Sequence, residues 1–271
     1  MRLVTRDSGN AEIWSDEAGD AAHPLIVLVH GAMDRSSGML RLSRRLDHEY
    51  RVARYDRRGY GRSTPHSGPF DMAAQVADLV GVIAGRRAVI VGHSYGGNVA
   101  LATAEQRPDL VAGVAIYETP LSWEPWWPGS TAGAAAIKAA GRPEEAAEAF
   151  MRRIIGAQRW EALPARTRAT RRAEGLALVD ELADLREHQP WHADLIHVPV
   201  VVGCGTRGAA HHQQGMAAVA ASIAGAELIV LDGCGHDAPH GDAAVFCKGL
   251  VGPLLQRVGS PWSVSVAAGE F

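Results

Sequence analysis

The sequence has almost no lysine. Lys138 and Lys248 are the only two in 271 residues, and arginine makes up the rest of the 27 basic side chains. That imbalance reads as genomic bias rather than function. With 30 acidic side chains the formal net charge is -3, so there is no basic footprint for nucleic acid. Cysteine is scarce too: Cys204, Cys234 and Cys247 are odd in number and lack metal-site spacing. They read as buried free thiols in a reducing compartment. No apolar run is long enough to span a bilayer. The opening "MRLVTRDSGNAEIW" is polar and alternating, unlike a targeting signal. A cytoplasmic protein without a membrane span is expected. There are no internal repeats. One further absence is local: no carboxylate occurs from Leu195 until Glu227.

The composition that remains, 47% hydrophobic and 21% charged, is that of an ordinary globular protein. The length suits one large α/β domain or a domain with an insertion. "PLIVLVHG", "RAVIVGHS" and "LVAGVAIYE" are apolar runs of the kind buried on both faces of a parallel sheet. "YRVARYD" is another strand, and "LVTRDSGNAEIWSDEAG" suggests two short strands joined at a Ser-Gly-Asn turn. Helical spacing falls between them at residues 36–46, 71–84 (with Asp71 as N-cap) and 95–106. From Thr119 to about Ile196 the strand rhythm stops. A Trp/Pro-rich loop, "LSWEPWWPGS", leads into helical segments at 132–140, 143–155, 164–174 and 176–187. A strand at 198–202, a helix at 213–224, the strand "AELIVLD", the loop "GCGHDAPHG" and a helix at 242–256 complete the pattern. This predicts an α/β core over 1–118 and 197–258, a helical cap over 119–196 and a tail over 259–271.

The chemistry concentrates in "VIVGHSYGGNVAL", where Gly92-His93-Ser94-Tyr95-Gly96 forms G-x-S-x-G between a buried strand and a helix. A sharp turn there lifts Ser94 Oγ above the sheet, and the glycines let strand and helix approach closely. With "LVHGAMD", "YDRRGYGRS" and "GCGHDAPHG", the sequence resembles the α/β-hydrolase fold family over nearly the whole chain outside the cap and the tail. The resemblance implies a mainly parallel eight-stranded sheet flanked by helices, with an all-helical cap after strand 6. It implies Ser94 as nucleophile, His236 as general base, and an oxyanion hole from the backbone N–H groups of Ala32 and Tyr95. No metal or cofactor is implied. His30 and His93 are expected to make structural hydrogen bonds, and His240 to orient the loop or face solvent. "YDRRGYGRS" reads as a structural corner in which Asp56 binds its own loop and Arg62 ties it down. Asp34 reads as a solvated loop aspartate.

In the family the acid that orients the histidine usually follows the strand "VPVVVGCG". Here Gly208 occupies that position. Glu118, at the end of "GVAIYE" on the neighbouring strand, is the favoured substitute. Some members, including one branch of haloalkane dehalogenases, place the acid there. Asp232 comes second, and a Ser94–His236 dyad assisted by water third. Asp194 and Asp237 are weaker candidates. A purely structural Glu118 would pair with a cap arginine instead.

Haloalkane dehalogenases and epoxide hydrolases of this fold carry aspartate at the elbow, so Ser94 implies acyl transfer. The expectation is a carboxylesterase acting on an apolar small-molecule ester. Trp123, Trp126 and Trp127 are candidate pocket residues, with Phe150, Met151 and Trp160 further aromatic or apolar cap positions. Carbon–carbon bond hydrolase, lactonase, amidase and cofactor-free haloperoxidase-like activities would use the same residues. A non-catalytic ligand receptor is the reading from another class, favoured only by Gly208.

Overall fold

The computed structural model describes residues 2–6 and 12–259. The strands are β1 (Arg2–Arg6), β2 (Glu12–Ala18), β3 (Leu25–Val29), β4 (Arg51–Tyr55), β5 (Ala88–His93), β6 (Val111–Tyr117), β7 (Val200–Gly205) and β8 (Glu227–Leu231). They form one sheet in the order β1-β2-β4-β3-β5-β6-β7-β8, parallel from β4 to β8 and antiparallel at β1 and β2. The Ser-Gly-Asn turn expected at 8–10, and all of the tail from residue 260, lie outside the described residues.

The uninterrupted apolar runs are buried on both faces, as their composition requires. Along β3, Leu25, Val27 and Val29 enter one core while Ile26 and Leu28 enter the other. Helices α2 (Met72–Ile83) and α3 (Tyr95–Gln106) cover the first face, and α1 (Leu40–Leu46) lies on the second. Asp71 caps α2 by accepting from Ala74 N at 2.8 Å. α1 starts four residues later than its spacing predicts. Ser36 N donates to Asp56 (2.7 Å) while Ser36 O accepts from Arg54 (3.1 Å) and from Met39 N (3.1 Å), so the segment is held as a turn against the corner.

Between β6 and β7 the chain forms α4 (Ala132–Lys138), α5 (Pro143–Ile155), α6 (Ala157–Ala162), α7 (Ala165–Ala173) and α8 (Gly175–Glu187). Thr131 caps α4, accepting from Ala134 N at 3.1 Å, and Pro143 opens α5. The short α6 escapes the sequence pattern because Gly156, at φ 83, separates it from α5. α6 matters for packing, since its Trp160 is fully buried with Phe150, Met151, Leu178 and Leu182. Phe150, Met151 and Trp160 therefore pack the inserted helices together.

After β7, α9 (Ala210–Ser222) begins three residues earlier than expected, without a capping side chain. β7 itself runs two residues late, because Pro199 has no N–H and offers only its carbonyl, to Val114 N at 2.9 Å. A short α10 (Ala238–Gly241) forms within the expected loop, and the helix expected at 242–256 is divided into α11 (Ala243–Phe246), a π turn (Cys247–Val251) and α12 (Gly252–Val258). Pro253 lacks the N–H that would bond Gly249 O, so the ladder widens there.

Candidate active site

Ser94 sits at φ 54 and ψ -126 between β5 and α3, conformational space that L-residues seldom visit. The strain persists because the turn is tightly held. Ser94 N donates to Tyr117 O (2.9 Å), and Gly97 N to Ser94 O (2.9 Å). A Cβ at Gly92 would lie 2.6 Å from Gly97 Cα, so only glycine lets helix and strand close here. A Cβ at Gly31 would lie 2.9 Å from Ser94 Cβ, which brings the "HGAM" loop against the serine. The N–H groups of Ala32 and Tyr95 donate to no acceptor among the described residues.

The loop carrying His236 is tied to the ends of β5 and β6. His93 Nε2 lies 2.8 Å from His236 O, and Tyr117 donates its hydroxyl to Gly235 O at 2.9 Å. His236 Nδ1 then meets Glu118 Oε2 at 2.8 Å. The other carboxylate oxygen accepts from Gly205 N at 3.1 Å, and Glu118 is fully buried. Glu118 stands at φ 46, held there as its own N–H donates to Gly203 O (3.0 Å). The arginine pairing that a purely structural Glu118 would make is not what the geometry holds; its partners are an imidazole and a main-chain amide. Asp232, the second candidate, accepts instead from the Thr206 hydroxyl at 3.2 Å.

One expectation needs correcting. Asp34 is not simply solvated: its carboxylate meets His240 Nε2 at 2.8 Å. Burial works to raise the Asp34 pKa, but the bond to His240 and its charge hold the group below the usual carboxylate range. For His240, burial works downward and Asp34 outweighs it, so its pKa is raised. In the turn after β7 Arg207 is exposed, and the two histidines that follow lie near His236. His212 stacks on His236 with ring centroids 4.9 Å apart at 20°, and Trp127 meets His211 edge-on at 4.9 Å and His212 at 5.5 Å. Burial, and then neighbouring His236, push the His212 pKa well below its ordinary value. Of the tryptophans, Trp127 thus reaches the His236 neighbourhood. Trp123 packs edge-on against Trp191 at 5.7 Å, and Trp126 is exposed.

The corner behaves as expected around Asp56, which accepts from Ser36 N, Arg62 N and Arg62 Nε. Its neighbour Arg57 does more than the sequence suggests. The fully buried guanidinium donates to His30 O (3.0 Å), Gly31 O (3.2 Å) and Glu181 of α8 (2.7 Å), and lies over the Tyr95 ring at 4.6 Å. Tyr60 donates to the same Glu181 at 2.7 Å. His30 completes the support: its Nε2 accepts from Arg57 N (2.9 Å), so its Nδ1 donates to Gly31 O (2.8 Å). The loop beside Ser94 is thereby joined to the inserted helices.

Comparison with known proteins identifies the family and the fold. Residues 26–248 match a model described as the alpha/beta hydrolase family. An sn-1-specific diacylglycerol lipase of Mus musculus is 34% identical over 52% of this chain and 47% of its own length. An epoxide hydrolase B of Mycobacterium tuberculosis is 33% identical over 40% of this chain and 32% of its own. The chain thus spans about half or less of these curated relatives. Among solved structures, an enol-lactonase from Burkholderia xenovorans superposes with a TM-score of 0.71 at 25% identity, covering 91% of this chain and 97% of that one. No helix among the described residues is long and apolar enough to cross a membrane.

Proposed function

The chain belongs to the alpha/beta hydrolase family, and on that premise we propose that it is a serine hydrolase cleaving a carboxylic ester through an acyl-enzyme. The observation that carries the reading is the 2.8 Å contact between His236 Nδ1 and a fully buried Glu118 carboxylate. That contact fixes the imidazole with Nε2 free to act as base, and it stabilises the imidazolium once formed. It also removes the one feature that favoured a non-catalytic receptor.

In this mechanism His236 Nε2 takes the Ser94 hydroxyl proton as Oγ attacks the ester carbon. The Ala32 and Tyr95 N–H groups stabilise the resulting oxyanion, each donor contributing about 10²–10³ in rate. Collapse breaks the bond to the alcohol oxygen, which leaves with the proton from His236. Water then attacks the acyl-enzyme, giving its proton to His236 and releasing the acid and Ser94. A lactone is the cyclic case of the same reaction, and the likeness to the enol-lactonase favours keeping it within the substrate class. An aspartate nucleophile would form an alkyl ester instead, so Ser94 disfavours epoxide opening. The inserted helices act as a cap, with Trp127 the tryptophan best placed to meet substrate.

The test is hydrolysis of short p-nitrophenyl esters by wild type and Ser94→Ala, together with mass-shift labelling by an alkyl fluorophosphonate. Turnover and labelling confined to the wild type are expected. Equal rates for the two proteins would overturn the proposal.

A further inference from the structure

Asp34, His93 and His240 form a second cluster beside the His236 loop. Their ligand-type atoms all lie within 4.8 Å of one another. His240 Nε2 and Asp34 Oδ2 are already in contact at 2.8 Å. His93 is 5% exposed, and its Nε2 faces the His236 carbonyl, which can only accept. The ring proton therefore sits on Nε2, and Nδ1 carries a lone pair. That Nδ1 is buried and has no hydrogen-bond partner among the described residues. An imidazole that donates one nitrogen to a backbone carbonyl and keeps the other as a bare lone pair is the usual form of a metal-binding histidine.

Gly38 lets the pair sit directly against its backbone. A Cβ at Gly38 would lie 2.5 Å from Asp34 Oδ1 and 2.9 Å from His240 Nε2. Tetrahedral ligands at about 2.0–2.1 Å from a zinc-class ion stand about 3.3 Å apart. The three groups reach that spacing by shifts of about 1.5 Å or less. The Asp34 and His240 side chains, 23% and 30% exposed, have room to make them.

We propose that Asp34, His93 and His240 bind a divalent transition-metal cation of the zinc class, and that the bound cation inhibits the hydrolase. Two imidazoles and a carboxylate are borderline donors that suit zinc over magnesium or calcium. Three protein ligands leave a fourth position for water. Inhibition rests on the proposed acyl-transfer reaction. The His93 ring lies 4.7 Å from the His236 ring, so a doubly charged ion held by His93 opposes the imidazolium that must form on His236. A rival cluster exists at Glu118, His212 and His236. There, however, Glu118 is fully buried and held by Gly205 N as well as by His236, whereas Asp34 and His240 are part-exposed and an ion can part them as His240 gives up its Nε2 proton.

The test uses zinc chloride titrated into the full chain by calorimetry, in a weakly coordinating buffer. One ion per chain is expected, with binding unchanged in Ser94→Ala. Asp34→Asn and His240→Ala should each weaken it at least roughly tenfold, with circular dichroism checking that both variants fold. Binding that survives both substitutions, or that is lost in His212→Ala, would overturn the site. Ester turnover is read separately, each variant referred to its own metal-free rate. Wild type should be inhibited by zinc and the two ligand variants spared. Heat without inhibition would leave the ion bound but refute its inhibitory role. If esters are not turned over at all, the proposed reaction fails while the calorimetric result still judges the site.

Discussion

Glu118 occupies the space that any side chain at position 208 would need. A Cβ on Gly208 would overlap Glu118 Oε1. The carboxylate comes from the end of β6, yet it reaches the loop after β7, where the family usually keeps its acid. The glycine thus leaves the space that the glutamate side chain fills.

On the proposed mechanism Glu118→Gln keeps the shape but removes the charge that steadies the imidazolium. It should lower kcat by roughly 10²–10⁴ with little change in KM. Steady-state kinetics on a p-nitrophenyl ester measures this; an unaltered kcat would transfer the role away from Glu118.

The pairing with Gly208 permits an exchange. Glu118→Gly relieves a left-handed backbone at φ 46, a strain of order 1 kcal/mol, and vacates the space beside 208. Adding Gly208→Asp should restore much of the turnover that Glu118→Gly loses. Gly208→Asp alone should be impaired, because two side chains would compete for one space. Kinetics and thermal melts of the three variants decide the matter, and a double variant no faster than Glu118→Gly would refute the exchange.

Arg57 and Glu181 are both fully buried and bonded to each other. Glu181→Gln leaves the guanidinium charge uncompensated, which costs about 3–5 kcal/mol. Melting should come roughly 6–15 °C earlier. Activity should fall as well, since Arg57 also holds the His30 and Gly31 carbonyls. Scanning calorimetry with parallel assays would expose a silent substitution.

Acid should destabilise the fold through His30. Burial, reinforced by the Arg57 charge, pushes its pKa down to about 4, against Asp34 and Asp56, which act upward. Unfolded histidine titrates near about 6.5. Between those values the unfolded chain binds a proton that the folded chain refuses. Stability is therefore full above pH 6.5 and declines as pH falls toward 4, by up to about 3 kcal/mol. His93 and His212, also lowered, act in the same direction. Urea midpoints at pH 7, 5.5 and 4 should fall in order, and His30→Gln should flatten the slope by about one proton. An identical slope in that variant would assign the acid sensitivity elsewhere.

Ser94 and His236 were legible in the sequence because a G-x-S-x-G turn between strand and helix has a mechanical purpose. Glu118 was legible by a different route: a gap at 208, and a neighbouring strand end that could fill it. His212 was not legible. α9 begins at Ala210 with no capping residue to announce it, so two histidines that start a helix read as the end of a turn. Nor was Arg57, because "DRRG" says nothing of the glutamate 124 positions further on that makes a buried guanidinium tolerable. The division of the last helix follows from one missing N–H at Pro253, which helical spacing of apolar residues does not register. Short-range geometry was written locally; long-range charge pairing was not.

The bond from Arg57 to α8 makes two distant stretches of chain move as one. One guanidinium holds both the loop beside Ser94 and the helices above it. Those helices cannot swing clear without dragging the loop and stranding a buried charge. Lifting those helices as a body would therefore cost about the 3–5 kcal/mol of an unpaired buried charge.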